Sequence, residues 1–242
     1  MNPTRRLAAF FAMLALATTS ACAPLNRANA RARVAQDSLA MTRASLARDD
    51  SLFMPLTVST PDSFLVAFET TRGRFDVMAH TRWAPVGTDR FYELVHRRFY
   101  DSVIVYRVAK GFVAQFGING DPAVSRAWSN RRLADEPVRE SNRRGRLAYA
   151  RGGPGTRTTQ LFINFADNLR LDTLNTIGFP AFAEVVAGME VVDSLHGEYG
   201  GAPSSRQDSI RLQGNAFLLR TYPKLDMIKT ARIINEWRRP PG

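Results

Sequence analysis

Cysteine is nearly absent from this chain. The single Cys22 excludes an internal disulfide and any cysteine-based metal cluster. Histidine is almost as scarce. His80, His96 and His196 are far apart in sequence, with none of the short spacings typical of zinc ligands. No metal and no cofactor is therefore expected, with carboxylates left as the one route to a bound ion. Lysine is rare too. The formal net charge of +11 is carried almost wholly by arginine, and only Lys110, Lys224 and Lys229 are lysines. A basic excess can serve nucleic acid or an anionic membrane. Here the densest group, Arg126 to Arg146, is interrupted by Asp135, Glu136 and Glu140, and zinc-finger spacing is missing. A solvated basic surface with no nucleic-acid partner follows. There is no GxSxG elbow with a partnered histidine, so a serine hydrolase is excluded. Gly152 to Thr159 lacks the lysine and spacing of a phosphate-binding loop. The apolar run Leu7 to Ala17 is too short for a membrane span.

That run does have the length of a signal-peptide core. Arg5 and Arg6 precede it, and Thr18, Thr19, Ser20, Ala21 and Cys22 follow. The segment resembles a bacterial lipoprotein signal, in which the cysteine is lipidated and becomes the mature N-terminus. Thr19 stands where that pattern prefers leucine. Cleavage after Ala23 or Ala30 is the alternative. Residues 1–22 are thus expected to direct export, to a bacterial periplasm or to a membrane anchored through lipidated Cys22. Residues 23–60 are rich in Ala, Arg and Ser and read as a linker or weak helix.

From residue 61 the texture is that of one domain, with an extension from about residue 200. Phe64 to Glu69 and Phe75 to Ala79 read as paired strands about the turn Thr71-Arg72-Gly73-Arg74. Pro85 to Arg98 reads as a helix, with Phe91, Leu94 and Val95 at helical spacing. Val103 to Ala109, Phe112 to Phe116, Leu147 to Ala150, Leu161 to Phe165 and Phe182 to Val186 read as strands, and Met189 to Leu195 as a short helix. Many short strands with two clear helices predict a mainly β fold, a closed antiparallel barrel with helices at its ends.

Three collinear stretches carry a resemblance. They are Val105-Tyr106-Arg107-Val108-Ala109-Lys110-Gly111-Phe112-Val113-Ala114-Gln115-Phe116-Gly117, then Leu147 to Ile163 with its Gly/Thr-rich loop and Thr159-Gln160-Leu161-Phe162, then Phe182-Ala183-Glu184-Val185-Val186-Ala187-Gly188-Met189. Together they resemble the cyclophilin family of peptidyl-prolyl cis–trans isomerases over about residues 64 to 196. Gly214 to Lys229 is similar to a C-terminal extension of a bacterial subset. The resemblance implies an eight-stranded closed barrel capped by two helices, an enzyme without cofactor, and a monomer that takes proline-containing polypeptide segments.

It also implies roles. Arg107, Phe112 and Gln115 would be catalytic, with Arg107 aimed at the proline nitrogen and Gln115 at the substrate carbonyl. Val113, Phe162 and Leu171 would join Phe112 in a proline pocket. Tyr149, Ala150, Thr156 and Gln160 would hold the preceding residues. Two positions depart from the family pattern. Arg170 precedes Leu171-Asp172 where Trp or His is frequent, and Phe179 falls where a pocket histidine is common. Residue by residue, core packing is the rival for each apolar position, and a strand-surface role for Gln115. Residues 103 to 109 do not tell which wall Arg107 takes. A cyclophilin fold that binds proline segments without useful turnover is the alternative function.

Overall fold

The computed structural model describes Leu56 and residues 58–239. The expected signal over 1–22 and most of the segment 23–60, Cys22 included, lie outside the described residues.

Alternation builds the first hairpin. In β1 (Ser63–Thr70) Phe64, Val66 and Phe68 are buried, and in β2 (Gly73–His80) Phe75, Val77 and Ala79 are buried. Gly73 closes the turn at φ +126°, a conformation that disfavours residues with a Cβ. The helix α1 (Pro85–His96) packs Phe91, Tyr92, Leu94 and Val95 against this sheet. Its preceding residue, Ala84, offers no capping side chain. Glu136 does so from a distant loop, accepting from the Val86 and Gly87 backbone N–H groups at 2.9 Å each. A carboxylate at that end meets both the unpaired amides and the positive end of the helix dipole. Glu136 is itself held by buried Arg157, 2.9 Å away.

The remaining elements are β3 (Val103–Ile104), β4 (Arg107–Ala109), β5 (Val113–Phe116), α2 (Pro122–Ser129), β6 (Arg146–Tyr149), β7 (Leu161–Asn164), a 3-10 turn (Leu169–Asp172), β8 (Ala181–Ala187), α3 (Met189–Asp193), a second 3-10 turn (Ala202–Arg206), α4 (Gln207–Gln213), α5 (Asn215–Thr221) and β9 (Met227–Trp237). The strands form one sheet in the order β3-β9-β1-β2-β8-β6-β7-β5-β4, antiparallel at every recorded pairing.

Three expectations are corrected. The described sheet has nine strands, not eight, and five α-helices accompany it among the described residues, not two. Its ladder is open. The expected strand Val103 to Ala109 breaks at Val105 and Tyr106, and its halves become the two edges of the sheet. Val105 donates its N–H to Asp226 and not to a strand partner across the gap. Three peptide links from Ile104 to Arg107 span at most about 11 Å, so the sheet curls until its edges approach without pairing.

The ninth strand comes from the tail. β9 lies between β1 and β3, with Ile228 and Ala231 buried in the main core. The rest of the tail forms a second apolar cluster. Ile210, Phe217, Leu218 and Leu225 pack there around Ile104, Ile118 and Tyr106.

The tail strand is thus expected to be integral to stability. Ile228→Ala should cost about 2–5 kcal/mol in urea unfolding, as for other buried aliphatic truncations. A loss below about 1 kcal/mol, ordinary for surface positions, would mark β9 as a loosely attached flap.

Candidate active site

Register decides which wall each side chain occupies. Arg107 pairs with Gln115, Gln115 with Phe162, and Phe162 with Ala148, in one row across β4, β5, β7 and β6. Directly opposed residues of antiparallel strands point to the same face. Val113 lies two residues from Gln115 and so shares it. The guanidinium, the glutamine amide and the phenyl ring therefore stand on one wall.

The apolar part of that wall is a cluster separate from the main core. Val113, Ala148, Phe162 and Leu171 are buried in it, and Phe112, Ala150 and Phe179 are partly buried against it. Phe162 and Phe179 meet edge to face at 5.8 Å. Phe112 sits between two cations. The Arg107 guanidinium carbon is 5.6 Å from its ring centre and that of Arg170 is 5.2 Å away. Both departures from the family pattern, Arg170 and Phe179, thus border the same apolar patch.

A chain of polar contacts fixes the row. Arg107 Nη1 donates to Gln115 Oε1 at 3.2 Å, and Gln115 Nε2 donates to Gln160 Oε1 at 3.2 Å. The Tyr106 hydroxyl also donates to Gln160 Oε1, at 2.5 Å. Burial pushes the Tyr106 phenol well above its usual range, so it remains a donor. Gln115 has a second N–H on its amide. Arg107 Nε is buried without a hydrogen-bond partner among the described residues. Gly117, at φ +104°, lets β5 press on the next loop. A Cβ there would lie 2.4 Å from the Thr159 carbonyl oxygen. That approach brings Gln160 alongside Gln115.

Behind the patch lies a network absent from the expected site residues. Asn168 Nδ2 donates to the Phe112 carbonyl at 2.9 Å and to Asn164 Oδ1 at 2.8 Å. Asn164 Nδ2 reaches Asn142 Oδ1 at 3.2 Å. Asn142 Nδ2 donates to Asp172 Oδ1 at 2.9 Å and to the Phe179 carbonyl at 2.8 Å. These buried amides tie Phe112, the Leu171 turn and Phe179 together. The available signal was Asn164, a polar residue ending the apolar strand Leu161–Asn164.

One expected site residue is corrected. Tyr149 turns into the main core, fully buried against Phe182, and its hydroxyl donates to the Gly87 carbonyl at 2.9 Å. Strand alternation is the reason, since Leu147 and Tyr149 face inward while Ala148 and Ala150 face the patch. Thr156 is nearby, but its hydroxyl staples its own loop through Gly152, Gly153 and the Gly153 carbonyl. No group of three or more His, Cys, Asp or Glu among the described residues is placed to hold a metal ion.

The family model for "Cyclophilin type peptidyl-prolyl cis-trans isomerase/CLD" matches residues 65–213. The chain belongs to the cyclophilin family. Peptidyl-prolyl cis-trans isomerase B of Escherichia coli is 33% identical over 155 residues, covering 60% of this chain and 91% of that one. Peptidyl-prolyl cis-trans isomerase-like 1 of Neurospora crassa is 34% identical over 149 residues, 59% of this chain and 85% of that one. The fold is similar to the crystal structure of a Cryptosporidium parvum cyclophilin type isomerase in the presence of the dipeptide Ala-Pro. That likeness has TM-score 0.53 and 19% identity, over 71% of this chain and 99% of that one. This cyclophilin is accordingly an enzyme, a peptidyl-prolyl cis–trans isomerase. Its match to the family model runs into the tail beyond residue 196, to helix α4.

Proposed function

We propose that this cyclophilin isomerises X–Pro bonds of extracytoplasmic polypeptides, as a monomer, by stabilising the twisted amide with Arg107 beside the apolar patch. Amide resonance sets a rotation barrier of roughly 18–20 kcal/mol. For X–Pro the two planar forms are close in energy, so the obstacle is kinetic. Catalysis then needs tighter binding of the twisted form than of either planar one. On twisting, the proline nitrogen regains its lone pair and can accept a hydrogen bond. A guanidinium aimed there helps only at that moment. Its charge is permanent and its planar fork keeps direction better than an ammonium would.

The patch of Phe112, Val113, Phe162, Leu171 and Phe179 would hold the proline ring. The remaining N–H of Gln115 would bond the carbonyl of the preceding residue, and the backbone at Ala150, with Gln160, would hold the chain before it. The observation that carries this is the shared row: Arg107, Gln115, Phe162 and Ala148 in lateral register. The use of an Ala-Pro dipeptide with a relative of the same fold supports a proline-containing ligand.

A charge-assisted bond of this kind is worth about 1.5–3 kcal/mol net, or roughly ten- to a hundredfold in rate. Exchange on an X–Pro peptide should therefore be clearly faster with the wild type than background, and Arg107→Ala should lose about that factor. The rate should also be level between about pH 6 and 9, because a guanidinium keeps its charge and the neighbouring phenol is held protonated. Equal background rates for both proteins would instead favour a module that binds proline segments without turnover. The extracytoplasmic setting rests on the signal-like residues 1–22. Intact-mass measurement of the mature protein should find residues 1–21 removed and acyl mass on Cys22. An unprocessed N-terminus would contradict export.

A further inference from the structure

Beside Gln115 the surface opens into a cavity of about 390 Å³. It shares Gln115, Ala150 and Gln160 with the row described above. Its charge is one-sided. Arg132, Arg151 and Arg211 line it, and no aspartate or glutamate does. Hydroxyls add further donors, among them Ser125 and Thr158.

The three guanidiniums are poorly neutralised. Arg132 is exposed, and its side chain makes no ion pair or hydrogen bond among the described residues. Arg151 donates through Nη2 to the Leu174 and Gly178 carbonyls at 3.2 and 2.6 Å, while its Nε and Nη1 are buried without hydrogen-bond partners among the described residues. Desolvation pulls the Arg151 pKa down, the direction expected when a cation lacks a full counter-charge. Asp135 acts on it from nearby. That carboxylate also accepts from Gly155 N at 2.7 Å and lies 4.0 Å from Arg157. Arg211 bonds Gln207 Oε1 at 2.9 Å and Asp208 at 3.3 Å. The Asp208 side chain is 96% exposed, and such a surface pair is worth little.

We infer that this cavity takes an acidic side chain of the bound polypeptide, and that the tail helix α4, through Gln207 and Arg211, completes it. The inference rests on the proposal that the row binds a proline-containing chain. The wall shared at Gln115, Ala150 and Gln160 places the cavity on the side of the residues preceding proline. One extended residue advances about 3.3–3.6 Å, so a side chain within a few residues of the proline reaches it. A carboxylate there meets the unspent donors of Arg132 and Arg211, for which its geometry is suited, while the Arg151 guanidinium is held at the Leu174 and Gly178 carbonyls and 4.8 Å from the Phe179 ring centre. A lysine in the same place meets like charges, so the cavity also discriminates against basic neighbours.

The test uses the full mature protein and a set of X–Pro peptides carrying Glu, Gln or Lys at the first, second or third residue before proline. Kd is measured by calorimetry, and turnover separately. At one position the Glu peptide should bind about tenfold more tightly than the Gln peptide in about 50 mM salt, and the advantage should shrink in about 0.5 M salt. In the double variant Arg132→Ala, Arg211→Ala the advantage should fall below about threefold, as both side chains are exposed and circular dichroism can confirm the fold. Arg211→Glu should shift preference toward the Lys peptide. Glu and Gln peptides binding within about twofold at every position would overturn the inference, as would an advantage that survives in the double variant. Absence of turnover would overturn the isomerase mechanism alone, because the ratio of Kd values decides this inference without it.

Discussion

The contact on which the site depends is the hydrogen bond from Arg107 Nη1 to Gln115 Oε1, set by the pairing of β4 with β5. An arginine carries about 2 kcal/mol of rotamer entropy, so a guanidinium is useful to a directional reaction only where its surroundings hold it. Here the backbone register chooses the wall and Gln115 fixes one nitrogen. The Phe112 ring lies against the guanidinium, its centre 5.6 Å from the guanidinium carbon. Gln115 is oriented in turn by Gln160, and Gln160 by Tyr106. The two amide oxygens of this chain, Gln115 Oε1 and Gln160 Oε1, are both engaged, while Arg107 Nε has no partner among the described residues.

That chain of contacts runs into the tail. The ring of Tyr106 lies in the apolar cluster formed by Ile210, Phe217, Leu218 and Leu225. The same tail supplies β9, which fills the sheet between β1 and β3. The segment beyond residue 200 therefore belongs to the body of the domain. It supports the site from behind through Tyr106 and borders it in front through Arg211. On the other side, the side-chain amides of Asn168 and Asn142 donate to the Phe112 and Phe179 carbonyls, with Asn164 bridging the two.

Local patterns made much of this legible. The apolar, β-favouring run in Ser63–Thr70 and the helical spacing in Pro85–His96 depend on neighbours in sequence, and both elements fall within two residues of expectation. The motif residues Phe112, Val113, Phe162, Leu171 and Phe179 do assemble into one patch. The wall taken by Arg107 was not legible. Val103 to Ala109 breaks at Val105 and Tyr106, so alternation cannot be counted through it, and only pairing with β5 assigns the face. β9 was hidden because its polar and apolar residues follow no strict alternation and only Ile228 and Ala231 are fully buried. The open ladder was hidden too, since closure depends on contacts between strands distant in sequence. Alternation sets Tyr149 opposite Ala148 and Ala150, but which of the two faces is the core is decided by packing between distant strands.

The central claim is that a held guanidinium faces a proline ring seated on the patch of Phe112, Phe162 and Leu171. The most direct measurement is a structure of this protein with an X–Pro peptide bound. The account predicts the proline ring on that patch and the Arg107 guanidinium within about 3.5 Å of the proline nitrogen or the amide it belongs to. A peptide bound elsewhere, or Arg107 turned away from a correctly seated proline, would contradict it.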